Sequence, residues 1–270
     1  MMGLVAHLHS VPARPAPRPC ETFSGGAHPR LRPYVLGYAG FRSGDGAAMA
    51  HRILPVNATT MIVDYEAGGR VVTGPRGDPA VFERTQWGHG VSVGLTPLGV
   101  SALLGVPVRE LAGAAVSLGD LLGRDGEELA ERLDAAPDWP SRFAVLDEVL
   151  AARLDGRDGE ADGLALRAWA RLQRPEPPRV GTLAARLGVS RRSLEVRFRR
   201  QIGLSPATVA RVARFQRAVW MLAHGRDLAA TAVDSGYADQ PHFNRDVRAM
   251  SGLTPSRLCA FLQYRELAPR

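Results

Sequence analysis

Two short stretches of the chain concentrate side chains suited to pairing with base edges and phosphates. Arg191, Arg192, Glu195, Val196, Arg197, Arg199 and Arg200 fall in one, and Gln240, His242, Asn244, Arg245 and Arg248 in the other. A guanidinium fork pairs bidentately with the guanine edge, and a Gln or Asn amide with the adenine edge, so both stretches carry the chemistry that reads a DNA major groove. One such stretch alone is explained as well by a solvated surface. Two on a common period are not.

Side chains act together only if something holds them on one surface, and here that is an internal repeat. LAARLGVSRRSLEVRFRRQIGLSP (Leu183 to Pro206) recurs as TAVDSGYADQPHFNRDVRAMSGLTP (Thr231 to Pro255). Ala184, Gly188, Leu194, Phe198, Gly203 and Pro206 find counterparts in Ala232, Gly236, Phe243, Val247, Gly252 and Pro255. The offset is 48 residues up to the glycine of the turn and 49 beyond it. Each copy spells a short helix with a small inner Ala, a turn at a Gly that can take positive φ, a capping Ser190 or Asp239, and a second helix. That is a helix-turn-helix, expected at about 180–201 and again at about 228–250. In each second helix the apolar pair four apart, Leu194 with Phe198 and Phe243 with Val247, faces inward and turns the polar positions outward.

Between the copies, Ala207 to Ala223 carries a 3.6-residue apolar stripe and reads as one helix of about five turns, roughly 25 Å long. Such a strut would hold the two reading helices apart. Successive major-groove faces on one side of DNA lie about 34 Å apart, so one chain can span two turns. Trp220 and Met221, on this helix, are expected to pack between the two units.

On these residues, segment 179–262 resembles the DNA-binding domain of the AraC/XylS family of bacterial regulators. The signature lies in the second unit: Gly236, Tyr237, His242-Phe243, Arg245, and Gly252 with Thr254-Pro255. Val247 stands where the family usually has Phe. Val196 occupies a place where members often have a basic, DNA-facing residue, which leaves Arg192 and Arg197 as the expected base contacts of the first unit. The resemblance implies a sequence-specific transcriptional regulator that binds double-stranded DNA. It also implies RNA polymerase, a small-molecule effector and a second copy of the chain as further partners. The N-terminal part, through RPYVLGYAGFR, HRILPVNATTMIVDY and VGLTPLGVSALLGVP, is similar to one subgroup of family members. By that implication it is a sensor, often β-barrel-like, that binds an effector or dimerises.

The charge distribution agrees. Residues 1–174 hold 18 Arg against 20 Asp and Glu, a net of −2, whereas residues 175–265 hold 15 Arg against 6 acids, a net of +9. A basic half beside a mildly acidic one fits a nucleic-acid-binding module joined to a module with another task. Lys is absent from both halves, which reflects coding bias rather than recognition. The segment Gln173 to Arg179, QRPEPPR, has three prolines and no apolar residue, so neither helix nor strand runs through it.

The expected organisation is a disordered, Pro-rich tail over 1–27, a sensor or dimerisation domain over 28–172, a linker over 173–179 and a DNA-binding domain over 180–264. Short Val-, Ile- and Tyr-rich runs between 34 and 95 read as a small antiparallel β unit, which the family resemblance implies is barrel-like. Helices follow from Thr96-Pro97, and after 179 the pattern is all-α, giving an α+β chain.

Other chemistry is poorly supported. Cys20 and Cys259 cannot make a disulfide framework, and no apolar run approaches the roughly 18 residues of a membrane span. Met1 to Cys20 lacks a basic region followed by an apolar core, so the chain is expected to be cytoplasmic. His51 and His89 lack the His-x-His clustering of a metal site, so neither metal nor cofactor is expected. Asp64 and Glu66, on either side of Tyr65, read as solvated acids, and Trp87 and Trp139 as core. No phosphate-binding Gly loop or G-x-S-x-G elbow occurs, and an enzyme is not expected. The principal alternative is a sequence-indifferent architectural DNA-binding protein, which a small ratio of specific to nonspecific affinity would reveal.

Overall fold

The computed structural model describes residues 8–14, 20–44, 48–65, 69–82, 85–154, 163–263 and 265–267 of the 270-residue chain. The first part holds strands β1 (Ser10–Pro12), β2 (Cys20–Gly25), β3 (Val35–Arg42), β4 (Met49–Ile53), β5 (Thr59–Asp64), β6 (Val71–Thr73), β7 (Gln86–Trp87) and β8 (His89–Leu95). Then come α1 (Pro97–Gly99), running into a π turn at Val100–Leu104, α2 (Val108–Leu111), β9 (Ala115–Ser117), α3 (Leu118–Leu122), α4 (Arg124–Ala135) and α5 (Trp139–Leu154). Seven strands form a sheet in the order β10-β2-β3-β8-β5-β6-β9, where β10 (Arg265–Leu267) is the last strand of the chain, and β1-β4-β7 form a second sheet.

Neither sheet closes on itself, so the expected barrel is an open two-sheet arrangement. Alternation along β5 explains the layers. Met61 and Val63 of β5 enter one core with Val91, Val93 and Leu95 of β8, covered by Leu129, Leu133, Leu146 and Leu150 of α4 and α5. Ile62 points the other way, to Ile53, Val71 and Trp87. A sheet covered by helices on one face only, with a small second sheet on the other, has no need to curl into closure.

The tail expected over 1–27 is corrected for its described residues. β1 pairs antiparallel with β4 and β2 with β3. Val11 is fully buried, and ladder bonds to neighbouring strands supply what the local composition lacks. Pro12 ends its strand, where a missing N–H costs least. Pro15 to Pro19 lie outside the described residues.

The remaining helices are α6 (Gly163–Leu172), α7 (Val180–Arg186), α8 (Arg191–Ile202), α9 (Pro206–Ala223), α10 (Leu228–Asp234), α11 (Gln240–Ser251) and α12 (Pro255–Gln263). α6, expected with the sensor half, instead packs Ala168, Trp169 and Leu172 against Leu183, Leu194 and Phe198. Val11 and Leu54 of the β part likewise join the core built on α9 and α11. The Pro-rich segment after α6 interrupts the helices, but packing crosses it.

Candidate DNA interface

The repeat becomes two helix pairs of equal lengths: α7 and α10 have seven residues each, α8 and α11 twelve. At the turns Gly188 and Gly236 take φ of 71° and 83°, a left-handed conformation that costs a glycine least. Ser190 then caps α8, its side chain accepting from the Ser193 N–H at 3.1 Å, and Asp239 caps α11 by accepting from the His242 N–H at 2.6 Å. Leu194 and Phe198, and Phe243 and Val247, are completely buried, which fixes the rotation of each second helix about its axis.

That rotation exposes Arg191, Arg192, Arg197, Arg199 and Arg200 on α8, and Asn244, Arg245 and Arg248 on α11. Gln240 is half-buried at the start of α11. Glu195 is also half-buried and is drawn into an ion pair with Arg191, Oε1 to Nε 3.0 Å, one turn back along the helix. His242 is half-buried too, its ring edge-on to Tyr237 at 5.2 Å, so it stands apart from the outward row of Asn244 and Arg245. Val196 is 62% exposed in the middle of the arginine face of α8.

α9 connects the units as a strut of 18 residues, about 27 Å long. Its Val209 joins the core of the first unit, while Val212, Phe215, Val219 and Leu222 join that of the second. Ser205 caps its start. Two further features anchor the second unit. Asp246 on α11, 7% exposed, accepts from Arg211 at 2.6 Å and from Arg214 at 3.4 Å, both on α9. Arg214 also lies 4.7 Å from the Tyr237 ring centre. Burial, reinforced by the Asp246 carboxylate, raises the pKa of the Tyr237 phenol well above its ordinary value, so it stays neutral. The Arg217 guanidinium, its pKa lowered by burial, donates to Ser235 O and Arg174 O and ties the strut to the turn of the second unit and to the Pro-rich segment.

Sequence reasoning missed Asp246. Its signal was an acid between Phe243 and Val247, on a helix whose other charges are basic.

The β part grips the same strut. Asn57 Nδ2 donates to Val209 O at 2.9 Å, and Gln216 Nε2 to Pro55 O at 2.7 Å, both buried. It also meets the far end of both reading helices. A Cβ on Gly203 would stand 2.6 Å from that of Ala112, and one on Gly252 would stand 3.1 Å from Arg52 Nη1.

Two expectations away from the DNA face change. Trp220 is not packed between the units but 40% exposed, its ring tilted 30° against that of His224 at 4.2 Å. Asp64 is no solvated acid: it is fully buried and accepts from the backbone N–H of Gly88 at 2.7 Å and of His89 at 3.1 Å. Glu66 lies outside the described residues. Trp87 and Trp139 do pack inside, Trp139 stacked on Phe23 at 4.7 Å. Among the described residues no group of three His, Cys, Asp or Glu could hold a metal ion, and no helix is long and apolar enough to cross a membrane.

Two capped helix-turn-helix units on one rigid connecting helix, each presenting an Arg- or amide-bearing second helix, define a DNA-binding regulator of tandem type. Residues 183–260 match a family model described as a helix-turn-helix domain. An AraC family transcriptional regulator from Rhodopseudomonas palustris CGA009 is 30% identical over 38% of this chain and 94% of its own, with a TM-score of 0.31. A regulator with an AraC-type DNA-binding domain from Chromobacterium violaceum is 26% identical over 37% and 88% of the two chains, TM-score 0.33. ToxT from Vibrio cholerae O395 is 11% identical over 90% and 97%, TM-score 0.47. No curated protein matches. The chain belongs to the AraC/XylS family of transcriptional regulators. It is a DNA-binding regulator and not an enzyme.

Proposed function

We propose that α8 and α11 enter two successive major grooves of one operator, with Arg192 and Arg197 from the first unit and Gln240, Asn244 and Arg245 from the second at base edges. Arg191, held by Glu195, and Arg199, Arg200 and Arg248 neutralise phosphates, while His242 steadies the start of α11 against Tyr237. The observation that carries this reading is the burial of Leu194, Phe198, Phe243 and Val247, which turns those side chains outward together from helices on one strut. Phosphate contacts then supply most of the affinity, and base contacts choose the sequence.

The β-rich part, from β1 to the end of α5, serves as the sensor. It takes a small-molecule effector and is the surface through which two copies pair, and the DNA-bound protein acts on RNA polymerase in the cytoplasm. The test is Arg245→Ala in the full chain. Its cost on the operator is on the order of 1–3 kcal/mol, with specificity relaxed in one half of the site. Equal weakening on every sequence would show that Arg245 contacts only phosphate.

A further inference from the structure

The face of the seven-stranded sheet turned away from α4 and α5 carries a cross-strand row of small side chains. Ser24 pairs with Ala39, and Ala39 with Ser92. Larger residues there would close the gap to the second sheet and to the DNA-binding half. The gap instead remains as a cavity of about 410 Å³. Its walls come from both halves of the chain: Phe41 and Trp87 from the sheets, Trp220 and His224 from the end of α9 and just beyond it, and Leu262 from α12.

Almost a quarter of the chain is charged, yet among the described residues no Asp, Glu or Arg lines this cavity. Its polar side chains are serine and threonine hydroxyls, the Cys20 thiol and the rings of His9, His51 and His224. His224 Nδ1 lies 2.8 Å from Trp220 O, which fixes that ring against the indole. A ligand with a permanent charge would meet no carboxylate or guanidinium among the described residues to offset its lost hydration. Apolar and aromatic walls with a few convergent polar groups, at this volume, are the ordinary make-up of a small-molecule site.

We propose that this cavity binds an uncharged, largely apolar small molecule bearing an aromatic or similarly flat ring, and that the molecule bridges the sheets to the strut between the two reading helices. This rests on the reading of the chain as an effector-controlled regulator. Contact with Trp220 and His224 places the ligand on the element that sets the spacing of α8 and α11. Any change the ligand makes in operator affinity is therefore returned by the operator to ligand affinity.

The experiment titrates the full chain with N-phenyl-1-naphthylamine, an uncharged amine carrying a phenyl and a naphthyl group that brightens in apolar surroundings, and with its sulfonated counterpart 8-anilinonaphthalene-1-sulfonate. The expected result is saturable, single-site binding of the amine, with the sulfonate weaker by roughly tenfold or more. Ala39→Phe, which fills the floor, should weaken the amine by at least about tenfold. Trp220→Ala keeps the fold, because the ring is already 40% exposed, and should weaken it about threefold or more. Equal affinity for the two compounds, or amine binding unchanged in Trp220→Ala and in any folded Ala39→Phe, overturns the proposal. Operator binding by the wild type is measured alongside, with and without the amine. If it occurs in either condition while the amine results fail, the cavity proposal alone falls; if it is absent in both, the regulator reading falls with it.

Discussion

Val196 offers a sharp test of where α8 sits on DNA. It stands one turn from both Arg192 and Arg200 and leaves 62% of its surface exposed, an apolar side chain in the centre of a basic face. If that face enters a major groove, the isopropyl group meets the one apolar feature found there, the thymine methyl. Replacing that thymine with uracil deletes a single methyl group and leaves every hydrogen-bonding group in place. Removing one carbon from a buried apolar contact is worth about 0.8 kcal/mol, close to fourfold in affinity. Fluorescence anisotropy on operators carrying uracil at each thymine of the first half-site should find one position where the wild type loses about fourfold. Val196→Ala should lose a similar amount on the unmodified operator and then be indifferent to uracil at that position, which is the signature of direct coupling. Should no thymine in that half-site respond, or should Val196→Ala respond as strongly as the wild type, α8 does not present this face to the bases.

Other outcomes follow from the anchoring of the site. Asp246→Ala leaves Arg211 and Arg214 without their shared carboxylate. Because Arg211 is 40% exposed, the cost falls below that of a fully buried pair, at about 2 kcal/mol, and thermal unfolding should show a midpoint lower by roughly 4–8 °C. An unchanged midpoint would mean that the pair does not hold α11. The Tyr38, Tyr65 and Tyr237 pKa values are raised chiefly by burial, with Tyr38 also donating to Asp147 at 2.8 Å. Since these folded values lie above the unfolded value of about 10, the stability they contribute is complete below that pH and is lost as pH rises through it. Phenolate absorbance should therefore show no more than two of the five tyrosines titrating before alkaline unfolding, and a smooth titration of all five would refute the packing. Arg248→Ala should weaken binding nearly uniformly across sequences and lower the salt slope by about one, as read from affinities at several salt concentrations.

The DNA-binding half was legible because its signals are local. A repeat, a glycine that needs positive φ, a capping Ser or Asp and an apolar pair four apart each act within a few residues, and they place α7, α8, α10 and α11 almost to the residue. The strands Val35–Arg42, Thr59–Asp64 and His89–Leu95 were legible for the same reason. What escaped depends on partners distant in sequence. Ser10–Pro12 and Cys20–Gly25 are strands only because β4 and β3 offer them edges, and nothing within those segments announces it. α6 has an amphipathic face whose destination, the core of the first unit, cannot be read from the face itself. The cavity arises where the small residues of three strands line up, and that register is a tertiary fact. Asp64 shows the same limit: an acid on a strand looks solvated until two backbone N–H groups from a neighbouring turn are seen to meet it.

The central claim, that one chain reads two adjacent major grooves, is tested most directly by selecting bound duplexes from a random pool with the full chain and titrating the winner against scrambled DNA at two salt concentrations. The account predicts a two-part motif with centres about ten base pairs apart, bound at least about a thousandfold more tightly than scrambled sequence at physiological salt. A pool that yields no motif, with affinity that follows salt alone, would contradict it and leave a charge-driven DNA coat in its place.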